Sequence, residues 1–230
     1  MEKRIRLYPF LFAVILTGAL LLVLPMRAEA AKSTDILFVE PGCPTADYTD
    51  VDHDGWYHTF VDYVVEKGLM SGTSATTFSP EASVTRAMVA QTLYAMEGKP
   101  GGSPSAGFGD VSGSAWYAPA VNWCAANGIA AGYENRTFHP NENITRQQLA
   151  IMFYAYVRYK GVDVSKEADL SGYTDADEVA SYAQTPMAWA VEAGLISGRQ
   201  TEQGLRLSPN KTAMRSELAV MLKNLNENIL

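Results

Sequence analysis

Apolar residues recur at helical spacing in pairs of short segments along the chain. In the first pair, the apolar face of Val61, Val64 and Val65 predicts a helix that ends at Gly68, where a left-handed C-terminal cap is favoured. A second helix is predicted to begin near Arg86. The predicted first helices lie within 59–67, 118–127 and 186–193, and the second helices carry apolar residues over 89–96, 149–156 and 218–225. This pattern predicts a mainly α-helical protein made of helix-loop-helix units.

The helix pairs belong to an internal repeat. Matching features of copies one and two lie sixty residues apart, as in Asp50 and Asp110 or Trp56 and Trp116. Copy three has diverged and carries small insertions, but it retains the opening aspartate as Asp175. A fixed period is typical of a domain assembled from like units. Copy three also keeps a glycine pair, a proline and the arginine of the second helix: Gly194, Gly198, Pro209 and Arg215.

Turn-forming and charged stretches separate the copies. The predicted organisation is a signal peptide at 1–30, an N-terminal segment at 31–46, repeat 1 at 47–97, a linker at 98–105, repeat 2 at 106–160, a linker at 161–171 and repeat 3 at 172–230. A unit of about 50 residues buries little apolar surface by itself. We therefore expect the three repeats to share one core.

The first thirty residues have the order of a secretory leader. A basic start at 3–6 precedes an apolar run at 10–24, and Ala28 and Ala30 provide the small residues of a cleavage site. The apolar run is shorter than the roughly 20 residues needed for a membrane-spanning helix. We expect export to the cell surface and no stable membrane span after cleavage.

Charge and composition narrow the range of partners. The apolar fraction of 47% indicates a folded protein, and 18 basic against 25 acidic residues give a net charge of −7. A negative chain has no diffuse attraction to nucleic acid, so we expect no nucleic-acid partner. Any anionic ligand must therefore bind at discrete cationic sites.

The spaced motifs of the repeat resemble the S-layer homology family of wall-anchoring modules. The family pattern runs Phe-x-Asp-Val, Trp, Gly-Ile-x-x-Gly, Thr-Phe-x-Pro and Thr-Arg-Ala-Glu. Copy two carries Phe108-Gly-Asp-Val111, Trp116, Gly128-Ile-Ala-Ala-Gly132, Thr137-Phe-His-Pro140 and Thr145-Arg-Gln-Gln148. The terminal glutamate survives only as Glu217 in copy three, where Tyr182 stands about where the tryptophan belongs. Because copy three departs most, we expect its groove to be the weakest.

The resemblance implies both a fold and a function. It implies three tandem repeats in a pseudo-threefold helical bundle, with grooves between repeats that bind a secondary cell-wall polysaccharide, often one carrying pyruvate ketals. The chain would then be a secreted protein held non-covalently at the bacterial cell wall. A second hypothesis is a surface module that joins other proteins and has degenerate sugar grooves.

The arginine at the start of each second helix is the leading candidate for ligand binding. Arg86, Arg146 and Arg215 present a planar guanidinium that matches a carboxylate in bidentate fashion. Free amides at the helix N-terminus would assist the same anion. The structural alternative is an ion pair with the repeat aspartates. We include two of these aspartates, Asp50 and Asp110, among the candidate ligand-binding residues.

Aromatic and glycine residues complete the predicted sites. Trp56 and Trp116 are predicted to stack on sugar faces, with core packing as the alternative use. Tyr133 is a further candidate for stacking or hydrogen bonding. The loop glycines Gly72, Gly132 and Gly198 are predicted to allow close approach of the ligand, although loop geometry by itself also requires glycine.

The sequence predicts no metal ion and no cofactor. The acidic ladder Asp50-x-Asp52-x-Asp54-Gly55 begins like a calcium loop but has Val61 where a bidentate glutamate is needed. The three histidines are scattered along the chain. Cys124 is expected in the core, and its pairing with Cys43 stays open.

Enzymatic motifs are missing from the sequence. It contains no nucleophile elbow, zinc-protease helix, phosphate loop or dinucleotide fingerprint. Acidic pairs for glycoside hydrolysis do not recur in a distinctive setting, although a hydrolase with an unrecognised site is a third hypothesis. We therefore predict a non-enzymatic carbohydrate-binding protein.

Overall fold

The computed structural model describes residues 42–230. The predicted leader and most of the N-terminal segment lie outside the described residues. Repeat 1 contributes α1 (His58–Glu66) and α2 (Arg86–Met96), repeat 2 contributes α3 (Ala118–Ala126) and α4 (Arg146–Tyr159), and repeat 3 contributes α5 (Gln184–Glu192) and α6 (Arg215–Asn228). The prediction of a mainly helical protein is confirmed. Across 42–230, no helix has both the length and the apolar character that a membrane crossing requires.

The second helix of each repeat begins at the predicted arginine, where a side chain caps the helix N-terminus. The hydroxyl of Thr85 accepts a hydrogen bond from the Met88 amide. Thr145 and Gln148 form a reciprocal capping box at the start of α4. In repeat 3, the Met214 amide donates to the Glu217 carboxylate at 3.0 Å. The side chain of Glu217, the third residue of α6, therefore caps this helix.

The helices of neighbouring repeats pack together in a closed cycle. Helix α2 packs on α3 of repeat 2, α4 packs on α5 of repeat 3, and α6 returns to pack on α1 of repeat 1. Each repeat therefore buries its second helix against the next repeat rather than against itself. This exchange explains why a unit with only two helices has no core of its own.

A ring of three backbone hydrogen bonds closes the bundle at its centre. The Ile144 amide donates to the Val84 carbonyl at 2.8 Å, the Ala213 amide to Ile144 at 3.0 Å, and the Val84 amide to Ala213 at 2.9 Å. The three residues occupy the same position, just before the second helix, in the three repeats. The predicted pseudo-threefold bundle is confirmed.

One apolar cluster includes side chains from all three repeats. Phe78, Phe138 and Leu207, which precede the prolines of the three loops, are fully buried. Cys124 is also buried in this cluster, as expected. Its burial raises the pKa of the thiol to about 12, so Cys124 packs as an unreactive apolar side chain.

Repeat 3 contains elements that the helical pattern does not predict. A two-stranded antiparallel hairpin, β1 (Arg199–Thr201) and β2 (Gly204–Arg206), lies between Gly198 and Pro209. It accommodates the residues inserted in this copy relative to copy two. Three single-turn 3₁₀ helices precede α5, at Leu170–Gly172, Ala176–Glu178 and Ser181–Ala183. Because the hairpin is so short, its residues lack a period that could be recognised in the sequence.

Candidate functional site

Three grooves surround the bundle, and each contains residues from all three repeats. In each groove, one repeat supplies the arginine, the next supplies the loop and helix N-terminus, and the third supplies an exposed aromatic ring. The Arg86 groove contains Ala131, Gly132, Tyr133, Gln148 and Tyr182; the Arg146 groove contains Ser197, Arg199, Glu217 and Trp56; the Arg215 groove contains Ser71, Gly72, Met88 and Trp116. Their volumes are about 670, 360 and 430 Å³, within the range of small-molecule sites.

The three arginines bridge neighbouring repeats in the same way. Arg86 donates from Nε to the Phe138 carbonyl at 2.9 Å and from Nη2 to the Ala131 carbonyl at 3.1 Å. Arg146 makes the equivalent two bonds to the carbonyls of Leu207 and Ser197. Arg215 makes them to the carbonyls of Phe78 and Ser71. None of the three Nη1 atoms hydrogen-bonds to another of residues 42–230. Every buried side-chain nitrogen in this range has a hydrogen-bond partner. The three Nη1 atoms have none, so they are not buried and contact solvent in the grooves.

The sequence analysis expected free backbone amides at the start of the second helices, and this expectation is wrong because these amides are hydrogen-bonded. The Arg86 amide donates to the Glu142 carbonyl and the Ala87 amide to the Pro140 carbonyl, both at 3.0 Å. The equivalent amides of α4 and α6 donate to carbonyls of the next repeat in the same way. An anion in a groove therefore has the guanidinium available but not the first amides of the helix.

The repeat aspartates organise the loops rather than pairing with the three arginines. Asp50 accepts hydrogen bonds from the Phe78 and Ser79 amides, both at 2.7 Å. Ser79 has a φ of 59°, a left-handed conformation that these bonds help to hold. Asp110 and Asp175 accept hydrogen bonds from the equivalent amides of their own repeats. Among the described residues, no ion pair joins these aspartates to the bridging arginines, and neither Asp50 nor Asp110 lines a groove.

Acid should weaken the fold through Asp175. Burial raises the pKa of this carboxyl, but the Leu207 and Ser208 amides and the charge of Arg206 outweigh burial and hold the pKa below its ordinary value. The ionised form therefore stabilises the folded state above about pH 4, and this contribution is lost as the pH falls through the folded-state pKa. We expect Asp175→Asn to lower the free energy of unfolding by about 1–3 kcal/mol at pH 7. Between pH 7 and pH 3, the free energy of unfolding should fall less in the variant than in the wild type.

Urea unfolding at pH 7, 4 and 3 measures this effect. Asp177→Asn is the matched control because Asp177 is exposed and lies only two residues away. An Asp175→Asn curve that parallels the wild type at all three pH values would contradict the assigned role.

The predicted aromatic candidates lie at the mouths of the grooves. Trp56 is 66% exposed and Trp116 is 61% exposed. Their neighbours Tyr57 and Tyr117 pack against the core instead. Each tryptophan touches its tyrosine edge to face, with ring centroids 5.5 and 5.2 Å apart. Core packing thus does not account for either tryptophan.

The loop glycines are required by close packing behind the grooves. A Cβ atom at Gly72 would lie 2.6 Å from the carbonyl oxygens of Ser74 and Thr77, and one at Gly132 would lie 2.7 Å from the Thr137 carbonyl. Gly198 is similarly crowded by Tyr173 and Leu205. Gly72 and Gly132 still line their grooves. Tyr133 also lines its groove, and its ring lies 5.2 Å from the Arg86 guanidinium carbon.

The Arg146 groove contains two charged residues that the sequence analysis did not single out as ligand candidates. Arg199, on β1, forms an ion pair with Glu217 of α6, and the same carboxylate lies 3.9 Å from Nη1 of Arg146. Burial and the charge of Arg199 lower the pKa of Arg146 to about 10, so it stays cationic at neutral pH. Arg199 belongs to the inserted hairpin and had no sequence signal, whereas Glu217 stands at the family's glutamate position.

The divergence of repeat 3 is distributed over all three grooves. Tyr182 faces the Arg86 groove, Glu217 faces the Arg146 groove, and Arg215 lines the third. No single groove belongs to repeat 3. The expectation that one groove inherits the weakness of this copy therefore has no structural basis.

Two of the three histidines are adjacent, which corrects their description as scattered. Nδ1 of His53 lies 2.9 Å from Nε2 of His58, beside Cys43. Both cysteines are free thiols, so Cys43 and Cys124 are unpaired. The Asp50 carboxylate is occupied by backbone amides, which is inconsistent with a calcium loop starting there.

The sequence pattern of the S-layer homology domain matches this chain three times, at residues 47–89, 107–150 and 172–219. The matches cover more than half of the chain. The chain belongs to the S-layer homology domain family.

Similar proteins include surface-layer proteins and an enzyme. The Surface-layer 125 kDa protein of Lysinibacillus sphaericus is 28% identical over 87% of this chain and 17% of its own length. An S-layer protein of Bacillus thuringiensis subsp. finitimus is 30% identical over 75% of this chain and 20% of its own. An endoglucanase of Bacillus sp. (strain KSM-635) is 29% identical over 77% of this chain and 18% of its own length. The chain thus spans about a fifth or less of each relative.

Proposed function

We propose that this chain is a non-enzymatic module that anchors to the bacterial cell wall by binding secondary cell-wall polysaccharide in its three grooves. The observation that carries the proposal is the recurrence, three times, of a solvent-contacting guanidinium edge beside an exposed aromatic ring. Membership of the S-layer homology family, shared with surface-layer proteins, supports the location at the cell surface.

The free edges of Arg86 and Arg215 support an acidic sugar as the ligand, whereas at Arg146 the Glu217 carboxylate lies 3.9 Å from Nη1. Nε and one N–H of Nη2 are used by backbone carbonyls, as in Arg215 with Phe78 and Ser71. A guanidinium has five N–H donors, so Nη1 and the second N–H of Nη2 remain for an end-on pair of bonds to a carboxylate. A pyruvate ketal carries such a carboxylate, and we propose a pyruvylated polymer as the preferred ligand.

The exposed rings support binding of the sugar itself. Trp56, Trp116 and Tyr182 are each more than 60% exposed, and each lines the same groove as one of the arginines. An aromatic face offers apolar contact to a pyranose ring while the arginine holds its acidic substituent. Three such grooves on one rigid unit allow several repeats of one polymer to bind together, which increases avidity.

Cosedimentation with purified wall sacculi tests the proposal. We expect the chain to sediment with complete sacculi and to remain in solution with sacculi stripped of secondary polymer. Sedimentation with stripped peptidoglycan would contradict the proposed ligand. A chain that never sediments would contradict anchoring and favour a surface protein-interaction module.

Soluble polymer tests the finer claim. The chain should bind pyruvylated polymer at least about tenfold more tightly than the same polymer after removal of its ketals, because a charged hydrogen-bond pair is worth about 1.5–3 kcal/mol. Equal affinities in isothermal titration would exclude the carboxylate as the recognised group. Release of sugar from either polymer would show enzymatic activity.

A further inference from the structure

A cluster of thiol, imidazole and carboxylate groups lies away from the grooves, where the N-terminal segment meets α1. Sγ of Cys43 lies 3.4 Å from Nε2 of His58 and 3.9 Å from Nδ1 of His53. The two ring nitrogens are 2.9 Å apart. The Asp62 carboxylate completes the cluster, with one oxygen 3.4 Å from the sulfur and the other 3.2 Å from Nε2 of His58.

The local fold brings these side chains together from three segments. His58 and Asp62 are one turn apart on α1 and therefore share a face. His53 comes from the tight turn before the helix, in which the Gly55 amide donates to the Asp52 carbonyl. Cys43 lies in a turn closed by the Ala46 amide. The buried Thr45 hydroxyl donates to Asp62 at 2.6 Å and orients the carboxylate.

The distances match those between the ligands of a tetrahedral zinc ion. With Zn–S near 2.3 Å and Zn–N near 2.0–2.1 Å, tetrahedral angles separate sulfur from nitrogen by about 3.5 Å and two nitrogens by about 3.3 Å. The cluster approaches these separations with only small side-chain movements. One thiolate, two imidazoles and one carboxylate form a donor set that suits Zn²⁺ and not the hard cations Ca²⁺ or Mg²⁺.

The repeat symmetry shows that the fold does not require this cluster. Sixty residues on, repeat 2 has Ser103, Gly113, Ala118 and Asn122 at the matching positions. Asn122 there accepts a hydrogen bond from the Ala106 amide at 3.0 Å, which ties the chain to α3 without any of the other three groups. The combination in repeat 1 is therefore additional to what the architecture needs.

We propose that Cys43, His53, His58 and Asp62 bind a Zn²⁺ ion, with Thr45 positioning the Asp62 carboxylate. Zinc bound here joins the N-terminal segment to α1 and fixes the turn that carries Trp56. Binding releases the thiol proton and leaves the oxidation state of sulfur and metal unchanged. None of the four ligands lines a groove.

Titration of the reduced, chelator-treated chain tests the site. We expect one Zn²⁺ per chain by isothermal titration and a rise in the thermal unfolding midpoint at saturating zinc. Co²⁺ in place of zinc should produce a thiolate-to-metal charge-transfer band and the intense visible absorption of a tetrahedral site. Uptake of no zinc, or a cobalt complex without the thiolate band, would overturn the proposal.

Substitutions identify the ligands. Cys43→Ser and His53→Gln should weaken zinc binding by on the order of 100-fold or more, and Asp62→Asn by about tenfold. Cys124→Ala and His139→Gln are matched controls that leave the cluster intact and should bind zinc as the wild type does. Since repeat 2 lacks the cluster and folds, the three variants should keep the helical circular-dichroism spectrum. Equal zinc affinity in Cys43→Ser and wild type would refute the assignment.

Discussion

Replacing Arg215 with alanine is expected to destabilise the protein by about 3 kcal/mol, because the substitution removes a charged donor from two carbonyls at the junction of repeats 3 and 1. Those carbonyls belong to Phe78 and Ser71, and the guanidinium carbon also lies 4.5 Å from the centre of the Phe78 ring. The closed cycle has three such junctions, so Arg86→Ala should produce a loss of similar size.

Thermal and urea unfolding of the variants measure this loss. Arg158→Ala is the matched control, since Arg158 is an exposed arginine on α4 that donates to no carbonyl of another repeat among residues 42–230. Arg215→Lys should recover part of the stability because it keeps the charge but not the planar fork. If Arg215→Ala unfolds at the same midpoint as Arg158→Ala, the arginine does not bridge the repeats.

Removing both exposed tryptophans should abolish most wall binding while leaving the fold intact. Trp56 and Trp116 lie largely in solvent, so their loss creates no cavity. Taking aromatic pairs as the guide, each ring stacked on a sugar contributes about 0.5–1.5 kcal/mol. We therefore expect Trp116→Ala to weaken polymer binding by up to about tenfold and the double variant by up to about a hundredfold. On sacculi the loss should be larger, because fewer grooves remain to bind one polymer together.

Isothermal titration with soluble polymer and the unfolding midpoint are measured on the same samples. Trp116→Phe should keep most of the affinity because it preserves an aromatic face. Tyr159→Ala removes an exposed ring outside the grooves and should bind as the wild type does. Unchanged affinity in the double variant would show that the Arg146 and Arg215 grooves are not binding sites.

These two predictions separate roles that one substitution in an arginine would confuse. An arginine-to-alanine variant that fails to bind the wall has lost both a structural bridge and a groove cation. The tryptophans contribute only to the groove, and none of the zinc ligands lines a groove or bridges two repeats. Comparing the three kinds of variant therefore distinguishes loss of fold, loss of wall binding and loss of metal.

The sequence by itself determined the number of repeats and the positions of the six helices. Those features depend on neighbours within one or two turns of a helix, such as Thr145 with Gln148. Spacing also singled out the three arginines and both exposed tryptophans. The choice between core and groove for Trp56 and Trp116 stayed open because the adjacent tyrosines have a similar pattern.

Only the tertiary structure decided which residues share a groove and which form the zinc cluster. Each groove joins three repeats, so Arg146 meets Trp56 and Arg199 although the three are far apart in sequence. Cys43 and His58 meet only after the N-terminal turn packs on α1. Such contacts depend on how the repeats exchange helices and close on themselves, and long-range packing of this kind leaves no local period for the sequence to reveal.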